Sequence, residues 1–194
     1  MAVAVSFGLV AIWCMHFVGN RAIIMGGGSH ATDNIQLVYS PKWTAVSVIL
    51  PITCLLIGFT FAEGKQPGQR GFWPRLVLVG FIAGASVCGM HYVGNLGIDN
   101  YKVYNDVRFV VGAAVIAEIA TVVALSMFFH FQERWLNAVP RRLSCAVVLA
   151  VAVSGMHWVA TAGTSYHLVD SPTTSRHNRN TNLIVAIVMV SNLS

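Results

Sequence analysis

The chain has 194 residues, 56% of them hydrophobic and 10% charged, and its mean hydropathy is +0.67. A water-soluble domain carries roughly 25% charged residues, so this composition excludes an ordinary soluble domain and makes the lipid bilayer the expected solvent and partner. The net charge of +5 is modest, and no basic stripe with interleaved aromatics marks a nucleic-acid partner.

Residues 1–20 hold no Asp, Glu, Lys or Arg. No basic stretch precedes them, as a signal peptide would require, and they are read as a first span. Residues 43–62, 76–98 and 143–169 are likewise free of charge, and 109–132 holds only Glu118. A helix crosses the hydrocarbon core with about 20 residues, so five runs qualify. The last apolar run, 183–194, gives about 18 Å of helix at 1.5 Å per residue, too short to cross. The expected fold is all-α: a polytopic transmembrane bundle of five full spans and a truncated sixth, built from repeated helix pairs. It forms one domain over 1–194, read as cut short at both ends.

The loops come in two kinds. Segments 63–75 and 133–142 concentrate Lys65, Arg70, Arg75, Arg134, Arg141 and Arg142. Segments 21–42, 99–108 and 170–179 spread six basic residues over a longer length, diluted by Asp33, Asp99, Asp106 and Asp170. The positive-inside rule puts the first kind in the cytoplasm of a multi-pass protein, expected in the plasma membrane.

One pattern recurs: CMHFVGN at 14–20, GMHYVGN at 89–95 and GMHWVAT at 155–161. Seven Met and seven His in 194 positions make about 0.25 Met-His pairs by chance. Each copy ends an odd-numbered span, and those spans run in the same direction. From Arg75 to His91 and from Arg142 to His157 the rise is about 24 Å. His16, His91 and His157 are therefore expected in one layer, near the non-cytoplasmic face.

Four residues after each histidine stands Asn20, Asn95 or Thr161. That spacing puts a polar group on the histidine's own helix face, where it can set which imidazole nitrogen points away, as the outer partners of metal ligands do. Met15, Met90 and Met156 lie about 100° round the helix and can flank the same centre. Imidazole suits copper, zinc, iron or nickel, and thioether with imidazole leans toward copper. With no carboxylate in the layer, Mg²⁺ and Ca²⁺ are disfavoured. Two readings stand: a shared ligand site, which three equivalent intramembrane histidines favour, and a hydrogen-bonded core layer. Phe17, Tyr92 and Trp158 read as an interfacial belt.

The three motifs resemble the MHYT domain, an integral-membrane sensor module with repeated helix pairs. The resemblance implies copper held by the motif Met and His residues. It also implies sensing of oxygen, carbon monoxide, nitric oxide or redox state, with the signal passed to a cytoplasmic partner. The fourth motif residue here is Val18, Val93 or Val159, not Thr. The expected function is a non-enzymatic sensory module. Competing readings are a membrane redox protein with haem held by paired histidines, and a copper or proton transporter. No nucleophile elbow, P-loop, HExxH or carboxylate pair is written in the chain.

Other residues carry smaller expectations. Cys14, Cys54, Cys88 and Cys145 form no CxxC pair and read as buried thiols. His30, His167 and His177 fall in outer loops, and His130 stands alone near the inner end of the fourth span. An ionised Glu118 in mid-span is costly, and two readings stand: a proton-linked element below the histidine layer, or a neutral acid hydrogen-bonded to a neighbouring helix, with Ser86 or Ser154 as candidate partners.

Overall fold

The computed structural model describes residues 2–23, 25–26, 34–62, 68–130 and 139–169. The run 183–194, loop 170–179, His30 and His177 lie outside them, as does the side chain of His130.

A first helical stretch is made of α1 (Ala2–Ser6), a wider π-helical segment (Phe7–Cys14) and α2 (Met15–Arg21). Ser6, Cys14 and Met15 all keep right-handed helical backbone, so the three pieces run on. Four longer helices follow: α3 (Pro41–Ala62), α4 (Phe72–Leu96), α5 (Val107–His130) and α6 (Val139–Ala162). All four are long and apolar enough to cross a membrane, which makes this a multi-pass membrane protein. α3 opens with Pro41 at its first position, where a missing N–H costs nothing. The turn into α4 uses left-handed backbone at Gly68 and Gly71, a conformation glycine adopts without strain.

The connections at the histidine-bearing ends of the helices contain short strands. β1 (Met25–Gly26) pairs with β2 (Asn34–Ile35), and β3 (Tyr101–Asn105) pairs antiparallel with β4 (Thr164–Leu168). The second pairing corrects the fifth apolar run, expected to be helical to residue 169. Helix α6 stops at Ala162, Gly163 turns the chain, and Thr164–Leu168 is extended. Freedom from charge marks both a span and the strand beyond it, so the run overshoots the helix.

Helix α4 is the centre of the bundle and touches α3, α5 and α6. Its buried face runs through Leu76, Val79, Gly80, Ala83, Gly84, Val87, Met90 and His91. The glycines let α5 close in: a Cβ at Gly80 would lie 2.5 Å from Val122, and one at Gly84 would lie 2.8 Å from the Glu118 carboxyl. Small residues permit such backbone approach in lipid. The Thr121 hydroxyl donates across this contact to the Gly80 carbonyl at 2.8 Å. The first helical stretch is tied to α3 by Trp13 Nε1–H donating to Ser47 Oγ at 3.1 Å.

Candidate metal centre

His16, His91 and His157 each stand five residues before the last residue of their helix, Arg21, Leu96 and Ala162. Equal depth on helices α2, α4 and α6 brings them together, and none is exposed at all. His91 Nδ1 lies 3.1 Å from His16 Nδ1 and 3.3 Å from His157 Nδ1. One ring nitrogen from each of the three falls within 4.8 Å of the others, and no Cys, Asp or Glu joins them among the described residues. Ring centroids are 4.8, 5.2 and 5.4 Å apart, with planes 75–86° to one another.

The outward-facing nitrogens are held differently. Asn20 Nδ2 is 3.3 Å from His16 Nε2, and Asn95 Nδ2 is 3.2 Å from His91 Nε2. The amides also touch, Asn20 Nδ2 to Asn95 Oδ1 at 3.2 Å. The third repeat breaks the pattern: His157 Nε2 and Thr161 Oγ1 are both buried without a hydrogen-bond partner. An unpaired buried polar group costs about 1–3 kcal/mol, so the expected Thr161 partnership is not made.

These contacts couple two tautomers. With each Nδ2–H donated to Nε2, both rings carry their proton on Nδ1, and two N–H groups face each other at 3.1 Å. A half-turn of both amides lets Nε2–H donate to Oδ1 and turns the Nδ1 lone pairs inward. The amides must turn together, because turning one alone sets like atoms against each other at their 3.2 Å contact. In either state like groups meet in the middle, and a cation among the inward lone pairs resolves that conflict.

Residues the motif did not single out complete the site. Segment 36–40 is clasped to 97–100: Ser40 N donates to Gly97 O at 2.7 Å, Asp99 N to Val38 O at 2.8 Å, and Val38 N to Asn100 Oδ1 at 2.9 Å. Asn100 Nδ2 returns to Gln36 O at 2.8 Å. The clasp sets Tyr39 on Phe17, centroids 4.9 Å apart, with its hydroxyl 2.8 Å from Asn20 Nδ2. Burial pushes the Tyr39 phenol upward, against the opposing effect of Asn20, so it keeps its proton. Gly19 and Gly94 make room for the rings. A Cβ at Gly19 would lie 2.5 Å from His157 Nε2, and one at Gly94 would lie 2.6 Å from His16 Nε2. The legible signal was the glycine three residues after His in the first two copies; Tyr39 had none.

Among the methionines, Met90 and Met156 are buried in the apolar core, and Met15 is half-buried against it. Phe17 is also core, not belt, whereas Trp158 is 51% exposed. Cys88 packs partly buried beside the core, outside the histidine group, and none of the four cysteines forms a disulfide.

Residues 10–74 and 84–140 match the MHYT family, described as a bacterial signalling protein N-terminal repeat. The chain belongs to the MHYT family. MHYT domains are sensor domains of signalling proteins, and the matched residues include His16 and His91 but stop short of His157. The chain is 24% identical over 159 residues to the signaling protein YkoW of Bacillus subtilis, covering 80% of this chain and 18% of that one. It is 27% identical over 169 residues to the bifunctional diguanylate cyclase/cyclic di-GMP phosphodiesterase MucR of Pseudomonas aeruginosa, covering 86% of this chain and 22% of that one. The MHYT chain thus spans about a fifth of the length of these relatives. No solved structure matches it.

Proposed function

We propose that this MHYT domain is the sensory input of a membrane signalling protein and holds a transition-metal ion, copper first, on His16, His91 and His157. The observation that carries the reading is the approach of three ring nitrogens at 3.1 and 3.3 Å. Ligands about 2.0–2.1 Å from one ion, at trigonal to tetrahedral angles, stand about 3.3–3.6 Å apart. The two contacts to His91 are within a few tenths of an ångström of that spacing, and the third pair lies within 4.8 Å. Met15, Met90 and Met156 are the candidate thioether donors, and a neutral His/Met set favours Cu(I) over a hard cation.

In the state with both amides turned, Asn20 and Asn95 orient the rings by accepting Nε2–H at Oδ1, and Tyr39 holds Asn20. The apolar surround of Ile12, Phe17, Met90 and Met156 excludes water. A bound copper would supply a redox-active, gas-binding centre, and oxygen, carbon monoxide, nitric oxide or redox state is the proposed signal. Rings this close leave no slot for a porphyrin, which weighs against the haem alternative. The relatives' roles in signalling and cyclic di-GMP turnover support a cytoplasmic partner as receiver. The first helical stretch is proposed as a span beside the other four, bringing the count to five, and the dense basic loops support a histidine layer on the outer side of a plasma membrane.

Metal analysis of the detergent-purified chain tests the centre. Stoichiometric copper is expected, lost in His91→Ala while circular dichroism stays helical. A chain that never takes copper, or keeps it in His91→Ala, overturns the proposal.

A further inference from the structure

The three repeats are not equivalent at the nitrogen that faces away from the centre. In the first two, an Asn amide sits 3.3 and 3.2 Å from Nε2, and the amides brace each other at 3.2 Å. Tyr39 anchors that pair at 2.8 Å from the clasped outer segment. His16 and His91 therefore belong to one connected network. His157 joins it only through Nδ1, 3.3 Å from His91 Nδ1. Its Nε2 has no partner although the residue is fully buried, and Thr161 Oγ1, one turn on, has none either. The shorter threonine does not bridge where asparagine does.

The His157 ring packs on the Gly19 backbone, where a Cβ would lie 2.5 Å from Nε2, so packing alone and no hydrogen bond holds that edge of the ring. Its helix α6 is thinly covered: Val151 is 67% exposed, Trp158 is 51% exposed, and a Cβ at Gly155 would meet nothing within 4 Å. Against His91 the His157 contact is the longer of the two, 3.3 against 3.1 Å.

We infer that His157 is the movable member of the trio, with His16 and His91 as the fixed pair, and that the Thr161 position sets how readily it withdraws. The inference rests on the metal reading for its consequence. With a metal held by the trio, withdrawal of His157 would exchange one nitrogen–metal bond for one bond to a small neutral donor, with no electron or proton transferred. His157 is thus a ligand whose departure would open the site, and Thr161 is a positioning residue acting through it.

The test compares wild type, Thr161→Asn, Thr161→Val and His157→Ala in lipid nanodiscs. In the metal-free chain, nitrogen NMR of histidine-labelled protein reads ring mobility directly. One ring is expected to average between tautomers, and that signal should vanish in His157→Ala. It should sharpen in Thr161→Asn and stay as in wild type in Thr161→Val, which keeps the shape without the oxygen. With Cu(I) loaded, Thr161→Asn should resist a chromophoric Cu(I) chelator roughly tenfold better, within the 10–100-fold span that outer partners of ligands command. It should also bind carbon monoxide correspondingly more weakly. Three equally rigid rings, or a Thr161→Asn chain indistinguishable from wild type in both readouts, would overturn the inference. A wild type that takes no copper sinks the metal reading, and the metal-free NMR still decides whether His157 moves.

Discussion

At the scale of single residues, the site depends on atoms that are missing as much as on those present. Gly19 and Gly94 leave the volume that His157 and His16 occupy, so a methyl at either place meets a ring nitrogen at 2.5 or 2.6 Å. Overpacking of this kind costs about 1–3 kcal/mol, and at Gly94 it falls on the His16 ring, whose Nε2 is already engaged by Asn20. Gly94→Ala is expected to lower the thermal midpoint in detergent and to reduce copper content. Gly155→Ala is the internal comparison, because a Cβ there meets nothing within 4 Å, and it should leave both unchanged. Equal behaviour of the two variants would remove the close-fit account. The histidines themselves, and Asn20 and Asn95, were legible because helical spacing fixes which side chains share a face. Tyr39 was not, since its place depends on a clasp between segments about 60 residues apart in the chain. Thr161 marks the limit of the spacing argument. Position i+4 gives the face but not the reach, and a threonine falls short where an asparagine arrives.

At the scale of elements, the α4–α5 contact explains where Glu118 goes. Its carboxyl lies against Gly84, beside Thr121, and not on the expected Ser86 or Ser154. Its Oε2 and the Ser86 hydroxyl are each without a hydrogen-bond partner. The sequence located an acid facing protein but not its neighbour, because the notch that receives it is made by a glycine, which carries no polar signal. Glu118→Gln keeps the size and removes the charge. It should fold and keep copper, since Glu118 is no member of the histidine group. Copper lost from a folded Glu118→Gln chain would promote this carboxyl to the site. Thr121→Val removes the donor that bridges to the Gly80 carbonyl at 2.8 Å. Interhelical hydrogen bonds in membrane proteins average about 0.6 kcal/mol, so a small loss of stability is expected, read as a lower midpoint in a denaturant titration.

At the scale of the whole molecule, the repeat carried the most information. Three equivalent turns on helices of one direction force three histidines to one depth, and depth plus bundle closure is enough to bring them together. What the repeat does not contain is handedness across the membrane, which rests on the loops. Gln69 lies in the turn before α4, and Ser165 lies exposed on β4 at the opposite end of the bundle, beyond the histidine layer. With the denser Lys and Arg around Gln69, the positive-inside rule puts Gln69 in the cytoplasm and Ser165 outside. Single cysteines at these two positions, in a chain whose four native cysteines are replaced by alanine, can be challenged in intact cells with a membrane-impermeant maleimide. Ser165→Cys should label from outside, and Gln69→Cys should label only after the membrane is opened. The reverse pattern would turn the histidine layer toward the cytoplasm. It would leave the trio's geometry intact but require its signal to be cytoplasmic, because the short path from bulk water to His16, His91 and His157 would then begin there.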